Sequence, residues 1–325
     1  SVKKAVASWN GAELEFACRE KGLCVALVRS DQEWTEHAHA KAISTLPVIE
    51  IIKLGDAPPE PLPLDGQQPL SDVNVLDLTK VIAGPVCGRT LASYGANVMR
   101  VGAKHLPFIE PLVIDTGLGK KSTFLDLRDP TDNDKLELLL RDANIFVQGY
   151  RPGAIAKHGF GPEEVAAKRP GIVYVNLSAY GYVGPWSSWR GFDSLVQSAT
   201  GIVHEGMIDA GADRPLPLPC QALDHATGYL AAFGAMVALK RRVEEGGSWM
   251  VRVSLAQTGK WFNDLGRVEG LETKKPTRTE IAGLLQKHDS PFGIIEHVRP
   301  PETFSETQPY WSSGSVPLGS NEPSW

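Results

Sequence analysis

Residues 74–101 read NVLDLTKVIAGPVCGRTLASYGANVMRV. The stretch opens on a short apolar run, Asn74–Leu78, and turns at Ala83-Gly84-Pro85. It continues as an amphipathic segment, Pro85–Tyr94, and closes on a second apolar run, Asn97–Val101. Two short apolar runs joined by a segment of helical periodicity predict a βαβ unit, because parallel strands need a crossover of this length.

Working outward, the pattern repeats. Further strands are expected at Thr123–Leu127, Ile145–Gln148, Ile172–Leu177 and Trp249–Ser254. Helices are expected at Asp132–Asp142, Pro162–Ala167, Asp193–Thr200 and His225–Arg242. Strands alternating with helices imply an α/β fold, a parallel sheet with helices on both faces, over residues 70–266. Residues 1–56 form a stretch of different texture, with helical spacing at Trp9, Leu14, Ala17 and Cys18 and apolar runs at Leu23–Val28 and Pro47–Leu54 read as strands. The proline-rich stretch 57–69 reads as an extended linker. Beyond 267 a helix, Thr279–Lys287, precedes an extended C-terminal tail.

Bulk properties narrow the function. The hydrophobic share is 42% and the charged share 22%, as in ordinary globular enzymes. Net charge is −5 without a dense Lys/Arg tract, which argues against nucleic acid as a partner. No apolar run approaches the roughly 20 residues that span a bilayer, so no membrane partner is expected. Cys18, Cys24, Cys87 and Cys220 form no CxxC pair and no metal-ligand spacing, and read as reduced thiols of a cytoplasmic protein with no metal site.

Chemistry is carried by four stretches. Neither GxGxxG nor GxxxxGK[ST] follows the first strand, so the glycine turn of a dinucleotide or P-loop site is missing. In its place Ala83-Gly84 permits close approach of a ligand, with Pro85 suited to a first helical turn. Gly117-Leu-Gly-Lys120-Lys-Ser122 can hold a phosphate or be a solvated turn. Gln148-Gly-Tyr150-Arg151-Pro-Gly153 ends a strand, where open α/β sheets bind ligands, although Arg151 can equally pair with a neighbouring carboxylate. Asp224 opens a long, small-residue-rich helix, either as its N-cap or as a carboxylate held in a dry pocket for nucleophilic or base chemistry.

Taken in order, these segments resemble the family III CoA-transferases, which include the α-methylacyl-CoA racemases. The resemblance runs through Pro69–Thr79, Ala83-Gly-Pro85, Gly95-Ala-Asn-Val98, Gly119-Lys-Lys-Ser122 with Leu125-Asp-Leu127, Gly149-Tyr-Arg-Pro-Gly153, Gly191-Phe-Asp193 and Asp224. Residues 1–64 are similar to a part of the family's small domain that normally follows the large one, so a long, rearranged variety with upstream sequence is expected. The resemblance implies a Rossmann-like CoA-binding domain, a smaller, partly present second domain and an interlocked homodimer. It implies that Asp224 attacks an acyl-CoA thioester and passes through an aspartyl-CoA intermediate to a small carboxylic acid acceptor. The Ala83-Gly84 turn would border the thioester, and Lys120, Tyr150 and Arg151 would contact CoA, a substrate rather than a permanent cofactor. Phe192 stands where the family's racemases have a histidine, which disfavours the alternative of α-carbon racemisation. Residues 259–325 hold no convincing copy of the glycine-rich loop that covers the aspartate in transferases, and Gly149 replaces an asparagine found in some. A non-catalytic CoA-binding protein is the third reading.

Overall fold

The computed structural model describes residues 1–62, 66–268 and 274–325. Nine strands are described: β1 Glu50–Gly55, β2 Asn74–Leu78, β3 Asn97–Gly102, β4 Lys120–Phe124, β5 Ile145–Gln148, β6 Val173–Ser178, β7 Ser248–Ser254, β8 Leu285–His288 and β9 Ile295–Val298. The first seven form one sheet in the order β1-β7-β6-β5-β2-β3-β4. The β2–β3, β3–β4, β2–β5 and β5–β6 ladders are parallel, and β1 runs antiparallel to β7. From β2 the chain winds outward through β3 and β4, then returns to β5 on the other side of β2. The strand order therefore reverses at the carboxyl ends of β2 and β5, where doubly wound sheets bind ligands.

The sequence explains this sheet. Strands β2, β5 and β6 are almost wholly buried, and their continuous apolar runs suit a sheet covered on both faces. Leu76, Met99, Phe146 and Tyr174 pack with Leu136, Leu139 and Leu140 of helix Pro130–Arg141 and Val165 of helix Pro162–Lys168. Both helices start on proline, where the missing amide costs nothing, and Asp129 caps the first by accepting from Thr131 N at 2.8 Å.

Four expectations are corrected. Contacts divide the chain into one unit of residues 1–48, 178–227 and 253–266, and another of 49–177, 228–252 and 267–325, rather than at 56, 69 and 266. The cause is backbone pairing. β1 joins the large sheet through β7, residues 178–227 pack with the N-terminal helices, and the tail binds β4 through Asn321 and Gly319. Of the linker, residues 63–65 lie outside the described residues. Leu23–Val28 pairs with no strand; Leu27 N instead donates to Glu15 Oε1 at 2.9 Å. The helix after 278 stops at Ile281, and a 3-10 turn leads into the β8–β9 hairpin. Finally, helix Ala222–Glu245 is long and apolar enough to cross a bilayer, but more than half of its most apolar window is buried inside the fold, as in a core helix.

Candidate active site

At the reversal point the chain leaves β2 and enters helix Ala83–Ser93 through Thr79–Ile82. Val81 sits at φ +71°, a left-handed conformation that a β-branched residue adopts at a cost of roughly 1–3 kcal/mol. The amides of Ala83 and Gly84 make no hydrogen bond among the described residues. Such amides at the start of an 11-residue helix offer donors and partial positive charge to an anion or oxyanion. Gly84 is required by packing: a Cβ there would lie 2.3 Å from Thr79 Cβ.

Beneath the turn lies a buried ion pair. Lys120 Nζ donates to Asp77 Oδ2 at 2.8 Å and to the Pro85 carbonyl at 2.7 Å. Asp77 Oδ1 also accepts from Thr79 N at 3.1 Å and from the Thr79 hydroxyl. The expectation that Lys120 meets a CoA phosphate is corrected here. β4 begins at this residue, its side chain falls on the inward face, and its ammonium is fully committed to the turn. Burial pushes the Lys120 pKa down while Asp77 holds it up. Its neighbour Lys121 is the exposed lysine of the pair.

Gln148 ends β5 opposite Leu78, which brings the 149–153 loop beside the turn after β2. Gln148 Oε1 accepts from Tyr150 N at 2.7 Å and fixes the loop's exit. Tyr150 is half-buried, with Lys80 Nζ 5.6 Å from its ring centroid. Arg151 is exposed, and its guanidinium has no bonded partner among the described residues. Among the described residues Arg151 pairs with no carboxylate, the alternative that the sequence left open. Sequence reasoning missed Arg100. This β3 residue is buried, its Nη1 lacks a partner among the described residues, and the charges of Asp77 and Tyr150 act on it. The only available signal was an arginine inside an apolar strand.

The second cluster belongs to the other unit. Helix Ala222–Glu245 starts two residues before Asp224, so Asp224 is in its first turn and is not the N-cap. Asp193, opening helix Asp193–Ala199, does the capping: its Oδ2 accepts from Asp224 N at 3.0 Å, and it also accepts from the Leu223 amide. Gln197 Nε2 donates to Asp193 Oδ1, and Gln197 Oε1 accepts from Leu218 N at 2.9 Å. Asp193 was noticed only as part of a motif; its capping of a helix 30 residues downstream has no local signature. Thr227 and Thr258 share a 2.7 Å hydroxyl bond that ties the helix start to helix Leu255–Asp264.

The Asp224 carboxylate is thereby relieved of structural duty. It is 8% exposed and accepts no hydrogen bond among the described residues. Burial first, and the Asp193 charge second, push its pKa up to about 7. An ionised carboxylate left unsolvated and unbonded is a stronger nucleophile and base than one in water. One turn further along the same helix, Gly228 runs against the start of helix Ala83–Ser93; a Cβ there would lie 2.6 Å from the Ala83 carbonyl oxygen.

A family model for CoA-transferase family III matches residues 70–279. The chain is 33% identical over 267 residues to an acyl-CoA transferase of Gibberella moniliformis, covering 78% of this chain and 47% of that protein. It is 32% identical over 278 residues to the acetyl-coenzyme A transferase nodX of Hypoxylon pulicicidum, covering 82% and 46%. The chain thus spans about half the length of the curated relatives it matches. Among solved structures it resembles Rv3272 from M. tuberculosis, with a TM-score of 0.68 at 20% identity over 78% of this chain and 97% of that one, a likeness of fold. The matched span contains the turn after β2, the 149–153 loop, Asp193 and Asp224, and on that basis the chain belongs to CoA-transferase family III.

Proposed function

We propose that the protein moves CoA from an acyl-CoA donor to a small carboxylic acid, with Asp224 as the catalytic carboxylate. The observation that carries the proposal is a buried first-turn carboxylate whose capping role has been taken by Asp193. Asp224 attacks the thioester carbonyl; the C–S bond breaks, giving an acyl-aspartyl anhydride and CoA thiolate. The thiolate attacks the aspartyl carbonyl, releasing the donor acid and leaving aspartyl-CoA. The acceptor carboxylate attacks that thioester, and the freed thiolate then takes the acceptor's acyl carbon, restoring Asp224. Each step moves negative charge onto a carbonyl oxygen, which free backbone amides stabilise. Arg151 serves a CoA phosphate with its guanidinium fork and Tyr150 supplies a flat face, while Lys120 supports the turn from below.

Coenzyme A enters and leaves as substrate. The relatives named for succinyl-CoA:glutarate transfer, in Mus musculus and Homo sapiens, support a dicarboxylate or other small acid as acceptor. The four free thiols fit a reducing compartment, the basis for a cytoplasmic location, and the interlocked dimer is carried over from the resemblance.

The test is CoA transfer across a panel of acyl-CoA donors and carboxylic acids, with Asp224→Asn alongside the parent chain. Transfer by the parent that disappears in the variant is expected. Transfer that survives in Asp224→Asn removes the aspartate from the mechanism, and α-hydrogen exchange without transfer favours racemisation.

A further inference from the structure

Three charged side chains are buried together on one face of the sheet: Asp77 of β2, Arg100 of β3 and Lys120 of β4. Arg100 stands opposite Asp77 in one ladder and opposite Ser122 in the next, while Lys120 precedes Ser122 by two residues and so faces the same way. Helix Ala83–Ser93 covers this face, since a Cβ on Gly88 would lie 2.6 Å from Asp77 Oδ2 and 2.9 Å from Lys120 Nζ. The one carboxylate of the three is already claimed. Asp77 accepts from Lys120 Nζ at 2.8 Å, from Thr79 N at 3.1 Å and from the Thr79 hydroxyl.

Arg100 is left over. It is 7% exposed, makes no side-chain hydrogen bond or ion pair among the described residues, and its Nη1 is shut off from solvent. Asp77 and Tyr150 act on it through their charges alone. A guanidinium keeps its proton even when buried, so unmet donors here work against the fold. Buried polar groups are normally satisfied, and one that is not calls for an explanation. Its place supplies one. β3 ends two residues later, at the edge where the strand order reverses and doubly wound sheets take ligands. The first amides of helix Ala83–Ser93, over the same face, also make no hydrogen bond among the described residues.

We infer that Arg100 is a specificity residue that receives the second carboxylate of a dicarboxylic acid while its first carboxyl is exchanged on CoA. The inference rests on the CoA-transfer reading, which seats the thioester beside the turn after β2. The spare carboxylate of a small diacid then lies only a few carbons from the reacting carbonyl, and its two oxygens match the guanidinium fork. CoA phosphates are held away from the thioester by the whole pantetheine arm, and the exposed Arg151 offers them a solvated cation. A monocarboxylic acid brings nothing to Arg100 and leaves that charge buried and unpaired. Selectivity therefore comes from the unmet donors that a wrong substrate leaves behind, as in any site built to bond a polar group.

The test measures kcat/KM in the parent chain, Arg100→Met and Arg100→Lys for two substrate pairs. One is succinyl-CoA with glutarate and the other butyryl-CoA with acetate; urea midpoints and calorimetry with CoA accompany them. The parent should favour the diacid pair, and that preference should fall by about a hundredfold or more in Arg100→Met. Arg100→Lys, which keeps the charge without the fork, should fall between. The urea midpoint of Arg100→Met should hold or rise, because the change removes a buried cation without a partner. No diacid preference in the parent, a preference that survives in Arg100→Met, a matching loss of CoA affinity, or a lower urea midpoint would each overturn the assignment. A parent chain that transfers CoA with neither pair would instead remove the CoA-transfer reading, and this inference with it.

Discussion

Asp193→Asn separates the two causes that hold the Asp224 pKa at about 7. Relative to the ordinary carboxylate value of 3.8, that is on the order of 4 kcal/mol against ionisation. Burial contributes more than the Asp193 charge, so neutralising Asp193 removes less than half of that. Asparagine keeps an oxygen that can accept the Leu223 and Asp224 amides and so retains the helix cap, while its amide nitrogen replaces the oxygen that accepted from Gln197. The assay is the rate of covalent adduct formation with an acyl-CoA between pH 5 and 8.5. In the parent chain only about a tenth of Asp224 is ionised at pH 6, and the rate climbs to a plateau above pH 7. The variant should reach its plateau earlier, with a gain at pH 6 of up to about eightfold from the ionised fraction alone. A parent profile flat from pH 5 to 8, or a midpoint that does not move in Asp193→Asn, would refute the reasoning.

Lys120→Met should cost on the order of 3–5 kcal/mol in denaturant unfolding, because it strands the buried Asp77 carboxylate without its cation. Arg151→Ala, at an exposed side chain without an ion pair among the described residues, should leave stability within about 0.5 kcal/mol and weaken CoA binding by calorimetry. His39 is fully buried, with Nε2 on the Tyr180 carbonyl at 2.7 Å and Nδ1 accepting from Trp186 N at 3.0 Å, which fixes the neutral ring. Burial lowers its pKa, so the unfolded chain takes up the proton first. Stability should therefore fall as pH drops below the unfolded histidine value of about 6.5, and urea midpoints at pH 5 and 7.5 should show it in the parent chain but less in His39→Gln.

The doubly wound sheet was legible because each strand is a short apolar run with its own helix after it. β2 and β5 were placed at their observed bounds from the sequence alone. What escaped was long-range pairing. β1 looked like part of a separate domain because nothing within 50–55 reveals that its partner is β7, almost 200 residues away. Lys120 shows a similar limit: two lysines after glycines read as a phosphate hold or a solvated turn until Asp77, 43 residues earlier, is seen to claim one of them. Asp224 was read as opening its helix, and it lies in the first turn. Its freedom from capping depends on Asp193, a contact that only the folded chain forms.

The most direct measurement is mass spectrometry of peptides from the chain incubated with an acyl-CoA and then quenched in hydroxylamine. A hydroxamate confined to the peptide holding Asp224, and missing from Asp224→Asn, is the expected result. Turnover of the acyl-CoA with that peptide unmodified, or a hydroxamate at another carboxylate, would contradict the account.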